Sequence, residues 1–395
     1  MSSILPIEEP QGSSARAPSL HAFLELAFRP LYLFGTAWAL IAIAIWVWAP
    51  QILIGPLQGI AWHAHEMLWG FIATIAVAFL MTAGANWTGI NPLRGGALAA
   101  ACVLWLVARV GFLWRGEEAF QVAVVAELAF FLLAAVALMR SVYRTKNARN
   151  YAVPWLLVAL AAADALYLLE AHRGADYARL MQRFNVGLLS MALIALLIAR
   201  RVIPFFATRA VAGLQIPMQT RSGQVQLATC AVAAACLLAG QMLPAAIALG
   251  ATGAIALVQV LRWKPWAVRR KPLLWILYAG YAGLGSGLLT AACAAAGASL
   301  PRALPVHMTA MAGFSVLIIG MVTRTALGHL GRPLATDRSI VCSYVLMLAA
   351  VVLRLAALAP TTLSEAALQL SAAAWLVALA LYLWRFAPML VRPRL

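Results

Sequence analysis

Charge is scarce in this chain. Only 10% of its 395 residues are charged, and just 12 of them are acidic, whereas a soluble globular domain carries about 25% charge. A water-facing surface of ordinary size cannot be built from such a sequence. No carboxylate cluster stands out either, which argues against a dedicated Mg²⁺ or Ca²⁺ site. Cysteine is sparse as well: Cys102, Cys230, Cys236, Cys293 and Cys342 all fall inside apolar runs and none forms Cys-x-x-Cys. That excludes an all-thiolate iron–sulfur motif and the Cys-x-x-Cys-His signature of covalent haem. The five are read as small buried apolar residues. The first 28 residues hold no long apolar run, so they carry no signal-peptide core. With Glu8, Glu9 and Arg16, residues 1–28 read as a short mobile cytoplasmic tail.

Apolar residues dominate instead, at 64% of the chain. A membrane-crossing helix needs about 20 of them in a row. Twelve such spans are predicted: 30–49, 62–82, 97–113, 120–139, 152–171, 184–203, 226–243, 244–261, 273–296, 305–322, 339–358 and 366–386. The fold class is therefore an all-α integral membrane protein, a bundle of about twelve transmembrane helices. Residues 29–395 form one polytopic domain, and the interruption at 204–225 is compatible with a six-plus-six division. The net charge of +17 is no sign of nucleic acid, because the basic residues alternate between loops. Arg140, Arg144, Lys146 and Arg149 follow span four; Arg200, Arg201, Arg209 and Arg221 follow span six; Arg262, Lys264, Arg269, Arg270 and Lys271 follow span eight. The loops after spans one, seven and eleven have none. The positive-inside rule then predicts two cytoplasmic termini. The loop after span five, with Arg173, Arg179 and Arg183, breaks the pattern. Trp263-Lys264-Pro265-Trp266 reads as an interface anchor, and Gly280, Gly283, Gly285 and Gly287 as a surface for close helix packing.

Ionisable groups inside such spans are costly and point to function. Two of only six histidines sit in Trp62-His63-Ala64-His65-Glu66-Met67 at the start of span two. On an α-helix His63, Glu66, Met67, Gly70 and Thr74 share a face, while His65 lies about 200° round the axis. This favours two separate sites over one metal held by both imidazoles. Span ten opens in the same way, with His307 at a depth matching His63 and Met311 one turn on. Imidazole suits haem iron and copper, and a thioether suits Cu(I). A straight helix puts Thr323 roughly 24 Å from His307, so His329 belongs to a second site at the other face. His21, Arg324 and Arg332 are candidates beside it, the arginines as partners for haem propionates. Asp164 and Glu170 are further intramembrane acids. The bland readings are packing histidines and positive-inside arginines.

These blocks also carry a resemblance. WHAHEMLWGF, FLMTAGANWTG, RRVIPFFATR and HMTAMAGFSVLIIGMVTRTALGHLGRPL, preceded by FRPLYLFG, run from about Phe28 to Leu334 and closely resemble the NnrS family. The last two spans carry no signature, and RVIPFFATR departs slightly from the family run at Ala207. The resemblance implies a polytopic bacterial inner-membrane protein of the nitric-oxide response and denitrification, with non-covalent haem and copper. It implies cofactor and metal roles for His63, His65, His307 and His329, with Glu66 as a candidate catalytic proton donor. The expected partners are nitric oxide or another small apolar gas, membrane lipids and an electron donor not identifiable from sequence; no nucleic acid is expected. A secondary transporter, and a haem or copper carrier serving denitrification enzymes, remain open as alternatives.

Overall fold

The computed structural model describes residues 17–217 and 219–394, so most of the expected tail, residues 1–16, lies outside the described residues. Within them the chain is helical and has no strand. Twelve long helices follow one another: α1 (Phe28–Trp48), α2 (Gly59–Thr88), α3 (Gly95–Gly111), α4 (Glu117–Arg144), α5 (Ala152–His172), α6 (Tyr177–Ala210), α7 (Thr220–Leu238), α8 (Met242–Arg262), α9 (Pro272–Ala295), α10 (Leu304–His329), α11 (Arg338–Ala356) and α12 (Ser364–Leu390). Ten are long and apolar enough to cross a membrane. The other two are α3, which is short, and α7, whose first turns (Thr220-Arg221-Ser222-Gly223-Gln224) are polar. All twelve predicted spans thus find a helix.

Neighbours in sequence mostly pack as neighbours in space, and α12 closes the circle against α1. Inside it, α2 touches α1, α4, α6 and α10, and is the most enclosed rod: 83% of its most apolar stretch is buried, against 33% for α11. The outer surface keeps large apolar side chains such as Val125, Ile247 and Trp384 exposed, as a lipid-facing bundle must.

Several local expectations change. The break between the seventh and eighth spans falls at Gly240, whose φ of 73° only glycine adopts without strain. Pro244 instead sits in the first turn of α8, where its missing N–H has no intrahelical partner to lose. Pro204 does not end α6, which runs on to Ala210 and shortens the expected 204–225 interruption. Trp263 is no surface anchor. It is buried and stacks on Tyr281 at 4.8 Å, leaving Trp266 alone exposed. Among the cysteines, Cys102 and Cys230 are buried, but Cys293 and Cys342 lie exposed on the outer surface. The odd basic loop after α5 is explained by Glu170, which pairs with Arg179 at 3.0 Å and Arg183 at 3.5 Å. The glycines of α9 do serve close packing. A Cβ at Gly280, Gly283 or Gly287 would strike the backbone of α10 at Leu317, Ala312 or Thr309, and one at Gly285 would meet Ala256 of α8.

The two chain ends meet at one end of the bundle. A one-turn helix, Leu20–Phe23, is capped by Ser19, whose own N–H donates to the Val391 carbonyl at 2.9 Å. Arg29 donates to the carbonyls of Leu390 and Arg392.

Candidate functional site

The helices that carry His63, His65 and His307 leave the α-helical path immediately after those histidines. Glu66–Ala73 in α2 and Met308–Ser315 in α10 are π-helical, a form that is rare and often marks functional sites. Side chains reinforce the wider turn: the Thr74 hydroxyl donates to the Trp69 carbonyl and the Ser315 hydroxyl to the Ala310 carbonyl, each five residues back. The two π segments touch each other in the middle of the bundle. Small residues let other elements approach each π segment closely. Gly313 lies against the Leu284 backbone, and Gly70 lies where a Cβ would collide with Glu66 and Arg109.

His63 and His307 line one cavity, together with Met67, Met181, Met311, Arg302 and Arg354; among the described residues no carboxylate lines it. The His63 ring stacks on Trp46 at 4.8 Å with an interplanar angle of 12°. Its Nδ1 is buried without a hydrogen-bond partner, a costly state for a polar atom unless something is bound there. His307 Nδ1 lies 2.8 Å from the Ala303 carbonyl. A carbonyl only accepts, so Nδ1 carries the proton and Nε2 keeps a free lone pair. The cavity therefore offers two imidazoles, three thioethers and two guanidiniums. That set fits a soft cation such as Cu(I), or haem iron with anionic propionates held by arginine.

His65 turns the other way, as the expected 200° offset requires. It is fully buried and held by acids from three helices: Nδ1 lies 2.9 Å from Glu66 Oε1, and Nε2 lies 3.1 Å from Asp164 Oδ1 and 3.7 Å from Glu127 Oε2. Arg109 bridges Glu66 and Glu127, and the Trp38 indole donates to Glu66 at 2.6 Å. The rings of Trp69, Phe112 and Tyr167 close around the imidazole. Glu66 thus does not face the His63–His307 cavity. Around an ideal helix it lies about 60° from His63 and about 100° from His65, but its ion pair and indole donor are on the His65 side. With both oxygens engaged it anchors charges and is not free to donate a proton in the cavity. Arg109 and Glu127 were missed by the reading of the sequence, although each is a charge within an apolar span, the same signal that singled out Asp164.

His329 lies at the far end of α10, in a different cavity from His307, as the helix length requires. Its ring packs 5.4 Å from Phe28. The arginines that line its cavity are Arg149 and Arg201. Arg324 instead packs over Phe206 at 4.0 Å, and Arg332 has a buried Nε with no partner. His21 is exposed, and His172 is half-exposed beside Glu117.

A family model described as NnrS protein matches residues 22–394. The chain belongs to the NnrS family. The match takes in α11 and α12, which carry no recognisable motif yet supply Arg354 and Trp375 to the His63–His307 cavity. No curated protein matches the chain. The NnrS assignment and the ten candidate spans together make it a multi-pass membrane protein.

Proposed function

We propose that this NnrS protein is a bacterial inner-membrane haem and copper protein that binds nitric oxide at histidine-ligated metal, within the nitric-oxide and nitrosative-stress response. The observation that carries the reading is the pairing of His63 from α2 with His307 from α10 on one cavity, each with a ring nitrogen left without a protein partner. His63 and His307 would hold the metal, Met67 and Met311 would favour its reduced form, and Arg302 and Arg354 would neutralise propionates. The bound metal supplies the one-electron chemistry and the affinity for a diatomic gas. His329, with Arg149 and Arg201 lining its cavity, is the second candidate cofactor position.

The chain's own residues then govern access and orientation. Trp46 holds the His63 ring by stacking, and the Ala303 carbonyl holds His307 in one tautomer. A separate cavity between α2, α6 and α10 is lined by Ile72, Phe79, Ile198, Phe314, Leu317 and other apolar side chains, with Tyr32 its one hydroxyl. It shares Tyr32, Phe79, Ile198 and Val202 with the His329 cavity. A neutral, apolar gas partitions into such space, whereas water and ions do not. Arginine-rich loops after α4, α6 and α8 support a topology with both termini on the cytoplasmic side.

Optical spectra and copper analysis of the purified protein test the reading. Haem absorbance and copper are expected in the wild type, with a spectral shift when nitric oxide is added to the reduced protein. His63→Ala and His307→Ala are each expected to lose the same metal. A wild-type protein free of both metals, or variants that each keep the full complement, would overturn it.

A further inference from the structure

We propose that His65, Glu127 and Asp164 form a second, chemically different metal site, selective for one first-row divalent cation of intermediate hardness such as Mn²⁺, Fe²⁺ or Zn²⁺. One ligand atom from each residue lies within 4.8 Å of the other two, and the three come from α2, α4 and α5. The proposal stands independently of what His63 and His307 hold.

Two buried oxygens point to a ligand. Glu127 Oε1 and Asp164 Oδ2 have no hydrogen-bond partner, although both side chains are at most 1% exposed. Unpartnered carboxylate oxygens in an interior are among the most costly groups a fold can retain. A cation placed among them would use those lone pairs directly.

The charge count agrees. With all three carboxyls ionised, Glu66, Glu127 and Asp164 would contribute three negative charges, and Arg109 returns one positive charge. A neutral His65 leaves a deficit of two, and an imidazolium leaves a deficit of one. A divalent cation with a neutral imidazole brings the sum to zero, the arrangement a low-dielectric interior favours most. Glu66 would then play the supporting part expected at metal sites. Accepting from Nδ1–H, it fixes the tautomer that aims the Nε2 lone pair at the ion. Arg109 would orient Glu127 from the other side.

Donor chemistry separates this site from its neighbour. One imidazole and two carboxylates, with no sulfur, suit Mn²⁺, Fe²⁺ or Zn²⁺ and disfavour Cu(I), whereas the His63–His307 cavity has three thioethers. The rings of Trp69, Phe112 and Tyr167 leave little room for water. The Tyr167 hydroxyl is committed to the Ala61 carbonyl at 2.9 Å, so it does not compete as a ligand.

The experiment uses the full-length protein in detergent, stripped with a chelator and then titrated with Mn²⁺ followed by electron paramagnetic resonance, and with Zn²⁺ followed by metal analysis. Stoichiometric binding is expected in the wild type and in His307→Ala. In Asp164→Asn and Glu127→Gln it should weaken by more than the roughly 10–100-fold that loss of a supporting group causes. X-ray absorption at the zinc edge of the wild type should show an oxygen and nitrogen shell with one imidazole, a readout that needs no variant to fold. No tight binding of either ion, unchanged binding in both carboxylate variants, or sulfur scattering at the zinc edge would overturn the proposal. Loss of haem and copper from His307→Ala with retention of Zn²⁺ would leave both sites standing.

Discussion

Among the described residues Arg109 is the only arginine or lysine that pairs with both Glu66 and Glu127, and it does so inside the bundle, 2% exposed. Removing one member of a buried ionic group leaves the rest uncompensated, at a cost of about 3–5 kcal/mol. Arg109→Met is therefore expected to unfold in detergent at markedly lower temperature than wild type; an unchanged melting temperature would show that the network contributes nothing. At this scale the sequence was half legible. The positions of His63, His65 and His307 followed from helical offsets and from matching depth, and the structure separates His63 from His65 as those offsets require. Glu66 did not follow, because its partners Trp38 and Arg109 come from other helices. A single chain read in order gives no account of which intramembrane charges meet.

Among the elements, the π segments were wholly illegible. A π turn has no compositional mark; it depends on which carbonyl each N–H reaches, and that is decided by the packing of α2, α9 and α10. The glycines that make the packing feasible were legible. Their consequence is strict at Gly283, where an added side chain meets the Ala312 backbone, which cannot swing aside. Gly283→Val is expected to lower stability by at least the about 1–3 kcal/mol of ordinary overpacking, and to reduce metal content as the π turn of α10 is displaced. Normal metal loading in a fully folded Gly283→Val protein would contradict that link. At the start of α11, Asp337 accepts from the Ile340 amide at 3.0 Å and from Arg385 of α12 at 2.9 Å. Burial pushes the Asp337 carboxyl up, but the bonds from Ser339, Ile340 and Arg385 together outweigh it and hold the group below its usual range. A depressed carboxyl stabilises the fold above its unfolded value and loses that contribution as pH falls through the folded one. Asp337→Ala should thus cost about 1 kcal/mol at neutral pH, with the difference fading under acid conditions below the ordinary carboxylate range. Thermal melts of both proteins across pH measure this, and a gap that persists in acid would assign the effect to packing.

For the molecule as a whole, span length was sufficient to give the helices. Every predicted span has its helix, and the errors are confined to helix ends such as Pro204 and Pro244, where proline is compatible with more than one outcome. The circular arrangement was not foreseen, since nothing in α12 announces that it packs on α1. Ser19 and Val391 are hydrogen-bonded, so both described ends lie on the same side of the bundle. Loop charge predicts that this side faces the cytoplasm. A green fluorescent protein fused after the last residue should fluoresce and an alkaline phosphatase fused there should be inactive; the opposite result would invert the topology.

Leu368, Ser371, Ala372 and Trp375 of α12 form one wall of the chamber shared by His63 and His307. The ribosome makes that wall last. On the proposed reading, an ion held by His63 and His307 would be enclosed only once α12 has inserted, so loading would belong to a late stage of biogenesis. A premature stop codon ahead of Ser364 would leave every histidine in place, yet the product would have no enclosed chamber in which to keep an ion.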